Sequence, residues 1–171
     1  ARAPRARGGA ALLVPMPGAD AAPPARAPPP PPGRRFFPPF LDATPYRSAG
    51  AERDRYRAEL ASRHRLDLAQ PWLLAVAMMR ADVKRLSYLA LAESLELLRD
   101  HRWQLLVVGD GDARPELEHR LAGLGRGRCR LLGILDEAEL PACYAAADLL
   151  VWPAFGEAYG MALLEAQATG L

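Results

Sequence analysis

The sequence contains few of the residues that build disulfides and metal sites. Its two cysteines, Cys129 and Cys143, lie in separate apolar stretches, and its three histidines are scattered. This pattern excludes a disulfide framework and a zinc-binding motif, so we interpret both cysteines as small core residues. Chains with unpaired cysteines are typical of reducing compartments, and we predict a cytoplasmic location.

Long apolar stretches are also missing. A helix that spans a bilayer needs about 20 consecutive apolar residues, and no part of the chain supplies them. The apolar residues within 10–16 are too few, and too interrupted by proline, for a signal peptide. We therefore expect no transmembrane segment, while peripheral contact with a membrane stays open.

Lysine is nearly absent, and proline is concentrated at one end. Lys84 is the only lysine among 22 lysine and arginine residues, and 12 of the 17 prolines precede Phe40. Residues 1–35 contain six arginines and one acidic residue, Asp20, which gives this segment a charge of +5. A basic proline-rich segment contacts nucleic acid or anionic lipid, or stays disordered. Because no aromatic residues are interleaved with the arginines, we predict disorder and no nucleic-acid partner.

The rest of the chain alternates between two patterns. Apolar stretches predict strands at 72–79, 103–108, 129–134 and 148–152. Helical patterns predict helices at 49–63, 85–98, 113–124, 137–146 and 159–169. Four strands that alternate with helices predict an α/β fold, a Rossmann-like open parallel sheet with helices on both faces. Ligands of such sheets bind beyond the carboxyl ends of the strands, so the turns after the strands are the candidate site.

Local signals set the predicted boundaries. Three residues are candidate helix N-caps: Thr44, Asp112 and Asp136. We predict that residues 36–70 form a linker and an outer helix, and that residues 71–171 form the ligand-binding domain. The segment 1–35 is the predicted disordered part.

Two carboxylates mark the last strand–helix turn. Glu157 lies in a glycine-containing turn where a helix begins, and Glu165 follows eight positions later, a little over two helical turns on. Gly156 and Gly160 allow the backbone to approach a ligand closely. Carboxylates beside the unpaired N–H groups of a helix N-terminus suit a polyhydroxylated, phosphorylated ligand. The alternative is an ordinary helix with Glu165 facing solvent.

This segment carries a resemblance. Pro-Ala-Phe-Gly-Glu-Ala-Tyr-Gly-Met-Ala-Leu-Leu-Glu-Ala, residues 153–166, closely resembles the E-x7-E signature of retaining GT-B glycosyltransferases of the glycosyltransferase 4 type. The resemblance implies that Glu157 binds hydroxyls of the donor sugar and that Glu165 binds the ribose of the nucleotide. It also implies that Ala158, Tyr159 and Gly160 lie beside the donor.

A basic pair flanks the turn after the first strand. Arg80 and Lys84 resemble the arginine and lysine with which this family binds the donor diphosphate. Cleavage of a sugar–phosphate bond leaves negative charge on the diphosphate, and fixed cations stabilise that charge. Ala77 departs from the pattern, because the family usually has glycine ahead of this arginine. The alternative is a pair of solvated surface charges.

The turn after the second strand, Gly109-Asp110-Gly111, has three interpretations. A dinucleotide-binding fingerprint lacks its third glycine here, because Arg114 occupies that position. The three residues from Asp110 to Asp112 also match a D-x-D metal motif of another glycosyltransferase fold. The interpretation that suits the context best is a tight turn, with Gly109 and Gly111 bordering the nucleotide pocket.

The turn after the third strand contains Ile134 and Leu135. By the same resemblance these two residues contact the nucleotide base. Two aliphatic residues at the edge of the core are the alternative.

The resemblance implies a function for the whole. It implies transfer of a hexosyl group from a nucleoside diphosphate sugar to an unknown acceptor with retention, with catalytic roles for Arg80, Lys84 and Glu157. No metal and no other cofactor is expected, since two cations supply the positive charge. The chain resembles an incomplete C-terminal domain whose partner is a missing N-terminal domain, so we expect the isolated chain to be inactive. The alternative is an inactive nucleotide-binding or interaction module.

Overall fold

The computed structural model describes residues 40–157 and 160–171. The predicted segment 1–35 lies outside them. Four parallel strands form one sheet in the order β3-β2-β1-β4. The strands are β1 (Trp72–Val76), β2 (Gln104–Val108), β3 (Cys129–Gly133) and β4 (Leu149–Leu150). The helices are α1 (Thr44–Ala51), α2 (Arg53–His64), α3 (Val83–Glu96), α4 (Arg114–Ala122), α5 (Glu139–Ala146) and α6 (Met161–Thr169). The predicted α/β fold is confirmed.

Each face of the sheet has its own apolar core. Alternate residues of a strand point to opposite faces, so Leu74 and Leu106 pack on one side and Ala75 and Leu105 on the other. The first core also receives residues from α1, α2, α5 and α6, and the second receives residues from α3 and α4. Helices therefore cover both faces, as the sequence predicts.

All four strands are shorter than predicted, β2 and β3 by one residue and β1 and β4 by three. β1 ends at Val76 rather than at residue 79, although the N–H groups of Ala77 and Met79 still donate to the carbonyls of Val108 and Asp110. β4 has only two paired residues, although the N–H groups of Asp148 and Val151 still donate to carbonyls of β1, each at 2.8 Å. A strand at the edge of a sheet pairs on one side only, so its ladder is easily cut short.

The predicted outer helix 49–63 is wrong in detail, because two helices meet at Glu52, whose φ is −111°. Thr44 is also not the cap. It lies inside α1, while the Oδ1 atom of Asp42 accepts its N–H at 2.9 Å. Gly50 packs so closely on the carbonyl of Thr169 that a Cβ atom at this position would overlap it. This contact fixes α1 against the end of α6.

Arginines of α2 hold the C-terminal end of α5. Arg57 donates to the carbonyls of Ala146 at 2.7 Å and Gln70 at 3.0 Å, and its guanidinium lies 4.1 Å from the centre of the Trp72 ring. Arg53 and Arg57 both pair with Asp148. The last carbonyls of a helix have no partner within it, so these donors cap α5.

Other predicted caps have mixed outcomes. Asp112 does not cap α4, which starts after Ala113; its Oδ1 atom accepts the N–H of Ala81 at 3.1 Å instead. α3 begins at Val83, two residues before the prediction, because the Asp82 side chain accepts the N–H of Lys84 at 2.9 Å. Asp136 does accept backbone N–H groups at the start of α5.

The two cysteines differ in burial. Cys143 is buried at 1% exposure, as predicted, whereas Cys129 is only partly buried. Burial raises the pKa of Cys143 to about 12 and the pKa of Cys129 to about 11. Both thiols are therefore protonated at neutral pH. Over residues 40–157 and 160–171, every helix is too short or too polar to cross a membrane.

Candidate functional site

Backbone hydrogen bonds join the turns after β1, β2 and β3 at the carboxyl edge of the sheet. After β1, the N–H of Met79 donates to the carbonyl of Asp110 at 2.8 Å, and its own carbonyl accepts from Ala113 at 2.9 Å. After β2, the N–H of Gly109 donates to the carbonyl of Gly133 at 2.8 Å. These bonds hold the turns after β1, β2 and β3 in fixed relative positions.

Gly109 and Gly111 are required by this close approach. Their φ angles are +132° and +154°, and a Cβ atom at these positions would overlap the carbonyl oxygens of Ala77 and Met79, respectively. Asp110 accepts from Arg114 at 2.6 Å and from the N–H of Gly111 at 2.8 Å. These donors lower the pKa of the Asp110 carboxyl below its usual range. The turn is tight, as the sequence predicts, whereas its place beside a nucleotide pocket stays a prediction.

An ion pair joins the turn after β4 to α3. Lys84, in the first turn of α3, donates from Nζ to Oε2 of Glu157, and the two side chains are 13% and 25% exposed. Trp152 donates its indole N–H to the same carboxylate at 3.3 Å, and its ring centre lies 5.7 Å from Nζ of Lys84. The pKa of Glu157 is lowered, chiefly by the hydrogen bond from Lys84, so the carboxylate is ionised at neutral pH.

α3 also supports the loop that carries Glu157. The N–H of Phe155 donates to Oγ of the buried Ser87 at 3.0 Å. Tyr88 packs edge-to-face on Trp152, with ring centres 4.8 Å apart, and its hydroxyl donates to the carbonyl of Ala77 at 2.7 Å. One helix therefore fixes both the lysine and its partner loop.

Arg80 lies apart from this ion pair. Its guanidinium pairs with Asp82 at 2.8 Å, and 52% of its side chain is exposed. It shares the turn after β1 with Lys84, as the sequence indicates, but the structure gives it no contact with Glu157. Its role in binding a diphosphate stays a prediction.

Glu165 faces a separate cavity of about 400 Å³. The side chain is half-buried, and its Oε2 atom accepts a hydrogen bond from the Tyr144 hydroxyl, with 2.6 Å between the two oxygens. Leu135 lines the same cavity, whereas Ile134 is 79% exposed. The lining comprises Leu41, Asp42, Pro45, Tyr46, Leu135, Asp136, Glu137, Leu140 and Glu165. Glu165 is therefore a partly exposed side chain with a hydrogen-bond partner on α5, and its role in binding a ribose stays a prediction.

The cavity offers hydrogen-bond acceptors rather than cations. Four of its lining residues are acidic and none is basic. Asp42 and Asp136 already accept backbone N–H groups, which leaves Glu137 and Glu165 as the carboxylates that face the cavity. Burial, and next the charge of Glu165, raise the pKa of Tyr46 to about 12, so its hydroxyl keeps its proton. Such a cavity suits a ligand that carries hydroxyl groups.

Gly160 begins α6 between the two carboxylates. Its φ is +62°, and a Cβ atom there would lie 3.1 Å from Cδ1 of Leu163. Glycine avoids both this crowding and the strain of the left-handed conformation. The predicted donor-binding residues Ala158 and Tyr159 lie outside the described residues.

Sequence reasoning missed the residues that support the site. Tyr88 and Tyr144 were recognisable only as inward-facing helix residues, and Trp152 only as the end of a strand. A buried tyrosine or tryptophan needs a partner for its polar tip, and in each of these three the tip points to a site residue or its turn. Ser87, a buried hydroxyl, gave no signal of its partner.

The chain matches known glycosyltransferases. Residues 70–171 match the family model described as glycosyl transferases group 1. Over 116 residues the chain is 32% identical to alpha-D-kanosaminyltransferase of Streptomyces kanamyceticus, which covers 67% of this chain and 30% of that protein. Over 131 residues it is 34% identical to D-inositol 3-phosphate glycosyltransferase of Salinispora tropica, which covers 70% of this chain and 27% of that protein. The chain thus spans less than a third of the length of these relatives.

Solved structures agree with the fold. The crystal structure of WaaG, a glycosyltransferase involved in lipopolysaccharide biosynthesis, superposes with a TM-score of 0.60 and 28% identity, over 80% of this chain and 36% of WaaG. The C-terminal domain of LpcC, a glycosyl transferase group 1 family protein of Francisella tularensis, superposes with a TM-score of 0.55 over 75% of this chain and 66% of that domain. At 19% identity, that second likeness supports the fold alone. On its sequence and its fold, this chain belongs to the group 1 glycosyl transferases, of the GT-B type.

Proposed function

We propose that this chain binds the nucleoside diphosphate sugar donor of a retaining hexosyltransferase. The observation that carries the proposal is the contrast between the two carboxylates of the E-x7-E segment. Glu157 is paired with the only lysine of the chain, whereas Glu165 lies in a cavity lined by acceptors and aliphatic side chains. A donor molecule has a similar division, with the sugar and the diphosphate on one side and the ribose and base on the other.

The diphosphate is assigned to the surroundings of Lys84. Lys84 lies at the N-terminus of α3, where the backbone N–H groups and the helix dipole favour an anion. When the sugar leaves, negative charge builds up on the diphosphate, and a fixed cation lowers the energy of that state. Arg80, exposed in the same turn, is the second cation of the proposal. Because these two cations supply the charge, the proposed reaction requires no metal and no further cofactor.

The sugar and the nucleoside are assigned to the two carboxylates. Once a diphosphate replaces Glu157 as the partner of Lys84, the Glu157 carboxylate accepts hydrogen bonds from sugar hydroxyls. Glu165 accepts from the ribose hydroxyls inside the 400 Å³ cavity. Leu135 and Ile134 then border the base, and Gly109, Gly111, Ala158, Tyr159 and Gly160 complete the donor site.

The complete reaction is part of the same proposal. The hexosyl group is transferred with retention to an acceptor bound by the N-terminal domain of a two-domain enzyme. The cytoplasmic location predicted from the sequence is also part of this proposal, since the proposed substrates are nucleoside diphosphate sugars.

Calorimetric titration tests the donor site. The 171-residue chain is titrated with UDP-sugars and GDP-sugars, and with NAD as the competing ligand class. We expect saturable binding of one nucleotide sugar, with Lys84→Ala and Glu165→Ala each reducing the affinity about tenfold to 100-fold, since each removes a charge-assisted hydrogen bond. Glu93→Ala is the matched control, because Glu93 is exposed on α3 and has no hydrogen bond or ion pair among the described residues. A folded chain that binds no nucleotide sugar, or binds it equally well after both site substitutions, would refute the proposal.

A further inference from the structure

Tyr144 does not line the cavity itself, but its hydroxyl is bonded to Glu165, which does. Its side chain is fully buried in α5, and its hydroxyl donates to Oε2 of Glu165 at 2.6 Å. This bond links α5 to α6 across 21 residues of sequence. The hydroxyl has no other hydrogen bond within the described residues, so its bond is directed at the carboxylate alone.

A second tyrosine fixes the ring of the first. Tyr46 of α1 packs edge-to-face on Tyr144, with ring centres 6.0 Å apart and planes at 61°. Tyr46 is also buried and lines the same cavity as Glu165. The Tyr144 hydroxyl is therefore held in place by two helices, and it cannot follow Glu165 if that side chain rotates.

The bond anchors the Glu165 carboxylate through its Oε2 atom. A free glutamate side chain has three rotatable bonds and points its oxygens in many directions. Anchoring Oε2 to a buried hydroxyl restricts these rotations, so the carboxylate, which belongs to the cavity lining, keeps one orientation. A carboxylate that is held in place before a ligand binds loses less conformational entropy when it accepts a hydrogen bond from a ligand hydroxyl.

We infer that Tyr144 is a positioning residue that orients Glu165 toward the ribose hydroxyls, and thereby sets the preference of the site for a ribonucleotide. The inference rests on the donor site proposed above. Tyr46, which lies before the segment that matches the family model, contributes by fixing the Tyr144 ring.

A comparison of ribose with dideoxyribose tests this role. The wild-type chain is titrated with the ribonucleoside diphosphates, and the best ligand is compared with its 2′,3′-dideoxy counterpart. We expect the wild type to prefer the ribose form by about tenfold, as for a hydrogen bond to a charged group. Tyr144→Phe removes only the hydroxyl, and we expect it to reduce the preference to about threefold or less while affinity for the dideoxy form is unchanged. Glu165→Ala is expected to abolish the preference.

Tyr88→Phe is the matched control. It also removes a buried tyrosine hydroxyl, but that hydroxyl donates to the carbonyl of Ala77 and not to Glu165. We expect Tyr88→Phe to keep the ribose preference, even if it weakens binding of both ligands equally. A general loss of packing would lower both affinities and leave their ratio unchanged, which separates a positioning role from a structural one.

The outcomes distinguish the two proposals. If the wild type binds no nucleoside diphosphate, the proposed donor site fails. If the wild type and Glu165→Ala behave as expected but Tyr144→Phe retains the full preference, the donor site stands and the positioning role of Tyr144 is wrong. If the wild type binds both forms equally, the ribose assignment of Glu165 is wrong, and so is the role of Tyr144.

Discussion

At the scale of single residues, charge and burial separate the two glutamates. Glu157 has a cation and an indole N–H as partners, whereas Glu165 has a tyrosine hydroxyl and a cavity. The two glutamates are therefore suited to different tasks, because their surroundings differ. The sequence shows the spacing of the two residues, but Lys84 comes from α3 and Tyr144 from α5, which no local pattern connects with them.

The Glu157–Lys84 pair makes stability depend on pH. Because the pKa of Glu157 is lowered from its ordinary value of 4.5, the pair stabilises the folded state above that value. This contribution is lost as the pH falls through the lowered pKa. Glu157→Gln is expected to reduce the free energy of unfolding by about 1 kcal/mol at pH 7, since the pair is partly exposed.

Urea unfolding at several pH values checks this expectation. The difference between wild type and Glu157→Gln should narrow as the pH falls below about 4.5, where the glutamate takes up its proton. Glu93→Gln serves as the control, and its difference from wild type should stay near zero throughout. A Glu157→Gln difference that is equally large at pH 7 and pH 3 would contradict the assignment.

At the scale of elements, α2 stabilises the fold through arginine side chains. Arg57 is 15% exposed and combines two hydrogen bonds to carbonyls, an ion pair with Asp148 and a contact with the Trp72 ring. Arg55, two positions earlier, is exposed to solvent. It pairs with Glu59 of α2 and with Glu52, the residue before that helix. One helix thus presents a structural arginine and a surface arginine side by side.

Alanine substitutions distinguish the two arginines. Arg57→Ala is expected to reduce the free energy of unfolding by about 2–3 kcal/mol, since it removes two hydrogen bonds to partly buried carbonyls together with the ion pair to Asp148 and the contact with the Trp72 ring. Arg55→Ala is expected to change it by less than about 0.5 kcal/mol, as for an exposed ion pair. Guanidinium unfolding followed by circular dichroism measures both. Equal effects of the two substitutions would show that Arg57 does not cap α5.

The elements themselves were largely predictable, and their ends were not. Apolar stretches placed all four strands, since parallel strands covered on both faces are apolar almost throughout. The ends depended on hydrogen bonds to other parts of the chain. Asp112 resembled a helix cap by its local sequence, but its carboxylate is bound to Ala81 instead. Such long-range competition is invisible in a local pattern.

At the scale of the whole molecule, the helices before residue 70 belong to the same core as the sheet. Tyr46 and Leu60 are buried against a cluster that includes Trp72 and Tyr144. The family model begins at residue 70, so it omits this part of the core. Removal of α1 and α2 would expose apolar side chains of α5 and α6, which these two helices cover.

Two shortened chains test this contribution. We expect residues 40–171 to unfold cooperatively on heating, and residues 70–171 to lack a cooperative transition, because apolar burial is the main stabilising contribution to a fold of this size. Circular dichroism during heating follows both chains. If residues 70–171 unfold at the same temperature as residues 40–171, then α1 and α2 are dispensable for the fold.

The sequence by itself determined the family, the α/β alternation and the positions of the two glutamates and the lysine. These features reside in local patterns and in the E-x7-E segment, which are readable without coordinates. Only the tertiary structure decided which residues meet: Lys84 with Glu157, Tyr144 with Glu165, and Tyr46 with Tyr144. These contacts join elements far apart in the chain, and they depend on the strand order and the packing of both faces. No local pattern encodes them.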